Sequence, residues 1–151
     1  MSRPKTAVIV GVSSQDGSYL AEFLLDKGYK VVGTIRRTTS LVHENIEHLK
    51  GKIVLEAADL IDQESLNRIM IKYQPDEVYN IASQSVPADA WSHPFYTGEV
   101  TALGPVRVFD CDVFCCFHLI PPRFFCCLVM VLDGFLLLFS GGDGWRNFAV
   151  P

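Results

Sequence analysis

Apolar positions in the first 110 residues follow two periods in turn. Residues 7–10, Ala-Val-Ile-Val, form a short unbroken apolar run, as expected of a strand buried on both faces of a parallel sheet. A helical spacing follows from about Ser18 to Lys27, with Tyr19, Leu20, Phe23 and Leu24 as its apolar positions and Gly28 placed for the left-handed residue past a helix end. Tyr29 to Ile35 reads as the second strand, Leu41 to Lys50 as a full or partial helix, and Lys52 to Ala57 as the third strand. Asp62 is placed to cap a helix running to Tyr73, whose buried stripe is Leu66, Ile69 and Met70. Pro75 stops that helix, and Glu77 to Ala82 makes a fourth strand. A last helix from Pro94 to about Phe109 is weakened by Gly98, Gly104 and Pro105 within it, since an interior proline costs about 3 kcal/mol. Strands and helices in alternation predict an α/β fold: a parallel sheet with right-handed crossovers.

The periodicity stops near residue 110. Beyond it come Cys111, Cys115, Cys116 and His118, then Pro121-Pro122-Arg123, then an uncharged run from Phe124 to Leu132, and a glycine-rich end at residues 140–144. The expectation is two regions, an ordered 1–110 and a divergent, irregular apolar tail over 111–151. Arg123, Asp133 and two prolines interrupt the apolar run, which argues against a membrane span of about 20 apolar residues. Cys115, Cys116, His118, Cys126 and Cys127 lack the spacing of a zinc site, so no metal is expected.

The turn after the first strand carries the candidate chemistry. It reads Gly11, Val12, Ser13, Ser14, Gln15, Asp16, Gly17, a three-glycine spacing with serine at the middle position. Such a loop lets the backbone approach a pyrophosphate, and the helix behind it aims free N–H groups and its dipole at the phosphate charge. The β-carbon of Ser14 crowds that approach, while its hydroxyl can donate a hydrogen bond. The pattern follows a strand and opens an amphipathic helix, the context that favours a dinucleotide loop over an ordinary strand–helix turn. At the end of the second strand stand Arg36, Arg37, Thr38, Thr39 and Ser40, with no carboxylate before Glu44. An acidic residue there would bind a ribose 2′-hydroxyl; arginines suit a 2′-phosphate. NADP is therefore the preferred cofactor, with a solvated basic turn as the alternative. Asp59 and Leu60 fall where an adenine would lie, or serve as a helix cap and a core leucine. The run Ile81, Ala82, Ser83, Gln84, Ser85 ends the fourth strand with small side chains and hydroxyls that let a cofactor cross the strand ends. The fold these features describe is a Rossmann-type parallel sheet, incomplete in these residues.

Composition narrows the function classes without adding one. With 49% hydrophobic and 20% charged residues among 151, the chain has the make-up of a globular domain. A net charge of −4 and scattered basic residues give no nucleic-acid surface. All five cysteines lie after residue 110 in an odd, partly adjacent set, unlike a secreted disulfide framework. No secretory signal is read at the amino terminus, so a reducing cytoplasm is the expected compartment. His43, His48 and His93 read as surface residues, and Trp91 as either a pocket edge or a packing residue.

Several strings then resemble a known family. Gln15-Asp16-Gly17-Ser18-Tyr19, the Arg36-Arg37 pair, Ile46-Glu47-His48-Leu49, and Asn80 followed by residues 81–85 fall in the order shown by the extended short-chain dehydrogenase/reductases, and more narrowly by the GDP-mannose 4,6-dehydratase family. The resemblance runs from about Lys5 to Phe109. It implies NADP as cofactor and GDP-mannose as substrate, with oxidation at the sugar C4, loss of water across C5 and C6, and hydride return at C6. By the same resemblance residues 11–16 hold the pyrophosphate and residues 36–39 the 2′-phosphate. Asp59 and Leu60 flank the adenine, while residues 81–85 and Tyr96 line the rest of the cofactor. Where the family has threonine, glycine, and alanine or glycine, this chain has Val10, Ser14 and Ser83.

The proton-transfer pair that the resemblance calls for is not found. The family uses a tyrosine base with a lysine four residues on, which lowers the tyrosine pKa. Here Tyr19, Tyr29, Tyr73, Tyr79 and Tyr96 meet Phe23, Gly33, Glu77, Ser83 and Val100 at that spacing. No catalytic residue is therefore assigned. Three readings follow: a dehydratase by descent, truncated and without activity; a non-catalytic NADP-binding module, as a homo-oligomer or paired with an intact homologue through residues 36–40; and a non-functional fragment with off-frame or intron-derived sequence after residue 110.

Overall fold

The computed structural model describes the backbone of residues 3–36, 44–119, 125–132 and 135–140, and the side chains of residues 3–36 and 44–111. Strand β1 (Thr6–Val10) is buried at every position. It sits between β2 (Lys30–Ile35) and β4 (Glu77–Asn80), both parallel to it, and β3 (Val54–Ala57) lies parallel outside β2. The parallel order 3-2-1-4 is that of a Rossmann-like α/β sheet, as the alternating pattern predicts. The chain steps outward from β1 through β2 to β3, then crosses back to lay β4 on the other side of β1. That reversal opens a crevice beyond the carboxyl end of β1.

Each face of the sheet carries its own core. Val8, Val10, Val32 and Val78 pack with Leu60, Leu66, Ile69, Met70, Val100, Val108 and Cys111. On the opposite face Ala7, Ile9, Val12 and Val31 pack with Ala21, Leu24, Ile46, Leu49 and Ile53. Helix α2 (Gln63–Tyr73) starts as expected: the Asp62 carboxylate accepts hydrogen bonds from the backbone N–H groups of Glu64 and Ser65. It ends at Gln74 in the left-handed conformation, just before Pro75. Gly28, at φ +80°, closes the first helix, α1 (Gln15–Asp26), as its position suggests.

Three details depart from the sequence pattern. Helix α1 (Gln15–Asp26) begins three residues early because Ser14 caps it, and its buried side is Gly17, Ser18, Ala21 and Leu24. Tyr19 and Phe23 remain 60% and 56% exposed, because the small residues let the helix settle close to the sheet and turn the aromatic edge outward. Within 41–50, read as a full or partial helix, the described residues take 3₁₀ rather than α-helical form over Glu44–Leu49, residues 41–43 lying outside those described. The weakened last helix is continuous from Pro94: α4 (Pro94–Thr97) runs through a π-helical turn (Gly98–Leu103) into α5 (Gly104–Leu119), and a separate short α3 (Pro87–Ser92) precedes it, set off by His93 at φ −131° and ψ 61°. Pro105 is tolerated because it falls where the π turn hands over to the α-helix, and that junction already alters the i→i−4 hydrogen-bond ladder.

Past residue 110, where the pattern predicts only an irregular apolar tail, α5 continues to Leu119. Then β5 (Phe125–Leu132) runs parallel beside β4, and β6 (Phe135–Ser140) antiparallel beside β5. Their two apolar runs are separated in sequence by Asp133-Gly134, a dipeptide that favours hairpins. Among the described residues no helix is long and apolar enough to cross a membrane.

Candidate functional site

The loop between β1 and α1 is built by close approaches that only small residues permit. Gly11 takes φ +88°, and a β-carbon there would lie 2.9 Å from the Ala82 Cβ. The ends of β1 and β4 are thus pressed together at the crevice. Val12 is fully buried and occupies the space above Gly33, where a β-carbon would stand 2.4 Å from its Cγ1. A glycine inside an otherwise β-branched strand marks such a close approach, and Gly33 within β2 is that signal in the sequence. Gly17, in the first turn of α1, sits against the Gly11 carbonyl and the Val12 Cα.

Hydrogen bonds fix the loop on both sides. The Gly11 N–H donates to Thr34 Oγ1 at 3.2 Å, and the Val12 N–H to the Thr34 carbonyl at 3.2 Å. The Ser14 hydroxyl donates to the Gly11 carbonyl at 2.9 Å and accepts from the Gly17 N–H at 3.0 Å. Its proton therefore stays inside the loop, and the hydrogen bond from Ser14 to a pyrophosphate that the sequence allowed is not available in this arrangement. The Asn45 amide reaches across from the 3₁₀ helix and donates to the Ser13 carbonyl at 3.0 Å. Gln15 and Asp16, at the first turn of α1, are exposed residues, and their N–H groups have no acceptor among the described residues. Unsatisfied donors at a helix start are where an anion binds.

The remaining expected residues that are described follow the carboxyl ends of β2, β3 and β4 or, for Tyr96, reach toward them. Arg36 follows β2 and donates from Nη1 to the Tyr96 hydroxyl at 2.9 Å, so two residues 60 apart meet at the mouth of the crevice. Arg37, Thr38 and Thr39 lie outside the described residues. Asp59 and Leu60 follow β3, which is tied to β2 by the Ala58 N–H bonding the Ile35 carbonyl at 3.1 Å. Asp59 is half-buried and its carboxylate accepts from the Ile61 N–H; Leu60 is buried in the core. The helix cap there is Asp62 instead. Ile81 and Ala82 both donate their N–H groups to the Val10 carbonyl, and Gln84 donates its N–H to Thr101 Oγ1 at 3.1 Å. Ser83 and Ser85 are exposed. Just before them, Asn80 is buried with its Oδ1 unpartnered among the described residues. Trp91 is 87% exposed, which removes the packing role. Thr34, Asn45 and Thr101 were not singled out from sequence, because a lone polar side chain reaching across the fold leaves no local pattern.

Electrostatically the two ends of the sheet differ. At the amino end, the Glu77 carboxylate accepts from Lys5 Nζ at 3.1 Å, Tyr29 Oη at 2.9 Å and Tyr79 Oη at 2.7 Å. Burial pushes the Glu77 pKa up, and the bonds from Tyr79, Lys5 and Tyr29 outweigh it, holding the group below its usual value. Away from that end, near the carboxyl end of β3, hydrogen bonds from Lys72 and Tyr73 hold Glu56 below its usual value. The carboxyl edge instead presents the Arg36 guanidinium and the α1 dipole. Among the described residues no cluster of three or more His, Cys, Asp or Glu side chains is arranged to hold a metal.

Comparison with known proteins agrees with this architecture. The family described as GDP-mannose 4,6 dehydratase matches residues 8–115. The GDP-mannose 4,6-dehydratase of Vibrio cholerae is 42% identical over 113 residues, covering 70% of this chain and 30% of that protein. The GDP-mannose 4,6 dehydratase 2 of Arabidopsis thaliana is 44% identical over 114 residues, covering 70% and 31%. The matched part thus spans under a third of these relatives' length. Among solved structures, the Bordetella bronchiseptica enzyme WbmH in complex with NAD+ matches with a TM-score of 0.61 and 27% identity, over 75% of this chain and 36% of that one. The L-threonine dehydrogenase of Clostridium difficile matches with a TM-score of 0.68 over 89% of this chain and 39% of that one; at 19% identity it bears on the fold alone.

Proposed function

The chain belongs to the GDP-mannose 4,6-dehydratase family, and from that premise we propose that these residues are the NADP-binding part of such an enzyme. In this reading the chain by itself holds the dinucleotide without converting GDP-mannose to the 4-keto-6-deoxy sugar. The observation that carries it is the loop over residues 11–17, whose Gln15 and Asp16 N–H groups have no acceptor among the described residues and stand at the crevice beyond β1.

These residues fit a dinucleotide in three places. The loop and the start of α1 suit the pyrophosphate charge. Arg36, exposed and followed in sequence by a second arginine and two threonines, suits a 2′-phosphate and disfavours the unphosphorylated ribose. Asp59 and Leu60 on one side, and Ile81 to Ser85 with Tyr96 on the other, flank the adenine and the rest of the cofactor. When bound, the nicotinamide supplies a hydride acceptor and donor. The residues of this chain bind it, orient it and keep it against the strand ends. Proton transfer needs a tyrosine with its pKa lowered by a neighbouring lysine, and no tyrosine here has lysine four residues on. A reducing cytoplasmic setting and a shared surface with a second subunit complete the proposal.

The test is calorimetric titration of the purified chain with NADPH and NADH, followed by incubation with GDP-mannose. NADPH-selective binding without formation of the 4-keto-6-deoxy sugar supports the reading. Turnover overturns the claim of binding alone, and no binding of either dinucleotide overturns the site.

A further inference from the structure

Two side chains, rather than backbone alone, give the loop before α1 its shape. Ser14 stands at φ −71° and ψ 163°, extended backbone open to any residue, so its side chain causes no strain. Both hydrogen-bonding sides of its hydroxyl are used within the loop, one on the Gly11 carbonyl and one on the Gly17 N–H. Asn45 belongs to a separate element 32 residues away and holds the Ser13 carbonyl. Together they bond the loop at its first, third and last residues. Gln15 and Asp16, the residues between Ser14 and Gly17, keep their N–H groups free of any acceptor among the described residues.

We propose that Ser14 and Asn45 are positioning residues that hold this loop ready for a pyrophosphate before any dinucleotide arrives. The inference rests on the reading of the loop as a dinucleotide site. It also changes the meaning of the serine. A side chain at this point would obstruct the phosphate if it faced outward; here it faces inward and replaces bonds the ligand would otherwise have to organise. Without the hydroxyl, the Gly17 N–H and Gly11 carbonyl lose a partner and the first turn of α1 loosens. Without Asn45, the Ser13 carbonyl is free to swing toward the crevice and oppose the phosphate charge. In both cases part of the binding free energy goes into ordering the loop, and affinity falls by the fraction of molecules that are ready.

The test uses the full chain and three probes: NADPH, NADH and adenosine 2′-monophosphate, which carries the ribose phosphate but no pyrophosphate. Titrations are made at a temperature where circular dichroism shows every variant folded. Ser14→Ala weakens both dinucleotides about fivefold, the equivalent of one lost helix cap. Asn45→Ala weakens both about threefold, as for one exposed hydrogen bond. Adenosine 2′-monophosphate binds each variant as it binds the parent, and Ser14→Thr, which keeps a hydroxyl, restores dinucleotide affinity. Unchanged dinucleotide affinity in Ser14→Ala and Asn45→Ala overturns the inference, as does an equal loss for the monophosphate, which would mark general loosening. Tighter binding by Ser14→Gly also overturns it, by showing the side chain to be an obstruction. If the parent chain binds neither dinucleotide, the site reading fails and this inference with it.

Discussion

Replacing Gly17 by alanine adds one methyl group in the first turn of α1, and ordinary helix propensity predicts a gain from it. Alanine is favoured over glycine in a helix by about 1 kcal/mol. The packing reverses that sign. The new carbon would lie 2.5 Å from the Gly11 carbonyl oxygen and 2.9 Å from both Ser14 Oγ and the Val12 Cα, whereas ordinary contact begins near 3.4 Å. Two of these three neighbours are backbone, so no rotamer change relieves them. Gly11 cannot easily retreat either, being bonded through its N–H to Thr34 and through its carbonyl to Ser14. Overpacking of this kind costs about 1–3 kcal/mol, and displacing the Ser14 cap about 1 kcal/mol more. After subtracting the propensity gain, Gly17→Ala should destabilise the fold by about 2 kcal/mol. Gly98 supplies the control: it is helical at φ −61°, and a β-carbon there meets nothing within 4 Å. Gly98→Ala should therefore stabilise by about 0.5–1 kcal/mol. Urea unfolding followed by circular dichroism measures both midpoints against the parent. A Gly17→Ala midpoint at or above the parent would refute the packing of the loop onto α1.

Three further outcomes follow from single contacts. Asp62→Ala removes the acceptor of two N–H groups at the start of α2 and should lower stability by about 1 kcal/mol in the same assay. Glu77 is held below its usual 4.5, so the unfolded chain binds more protons than the folded one as pH falls. Its contribution is complete above that usual value and is lost as pH drops through the lower folded value. Glu77→Gln should flatten the acid side of a stability-against-pH curve, and an unchanged acid limb would contradict the assignment. Under the proposed function, Arg36→Ala should weaken NADPH about tenfold and change NADH by less than about twofold, read by titration; equal losses would remove the 2′-phosphate role.

Much of the fold was legible because its signals are local. The apolar run of β1, the Asp62 cap, the Leu66–Ile69–Met70 stripe and Gly28 each announce themselves within a few residues. Features decided by tertiary contact were not. Tyr19 and Phe23 share the helical spacing of a buried face, yet Gly17, Ser18 and Ala21 set the depth at which α1 packs and leave the rings in solvent. Pro105 looks like a helix breaker until the preceding π turn is known. The glycine spacing marks the turn between β1 and α1. What holds it, namely Thr34 from β2, Asn45 from the 3₁₀ helix and the buried Val12 over Gly33, depends on residues distant in sequence. The sequence treated the Ser14 hydroxyl as a donor to phosphate, but a serine in extended conformation at a helix start serves the first-turn N–H instead.

The proposed function requires the carboxyl edge of the sheet to bind NADP through the loop at residues 11–17. The most direct measurement is the set of backbone amide chemical shifts of the nitrogen-15-labelled chain during NADPH titration. The account predicts that the Gln15 and Asp16 amides move most, with Gly11, Ala82 and Arg36 following, while Lys5 and Glu77 at the opposite end of the sheet stay in place. Saturating NADPH that leaves the Gln15 and Asp16 amides unmoved, or shifts centred on the amino end of the sheet, would contradict it.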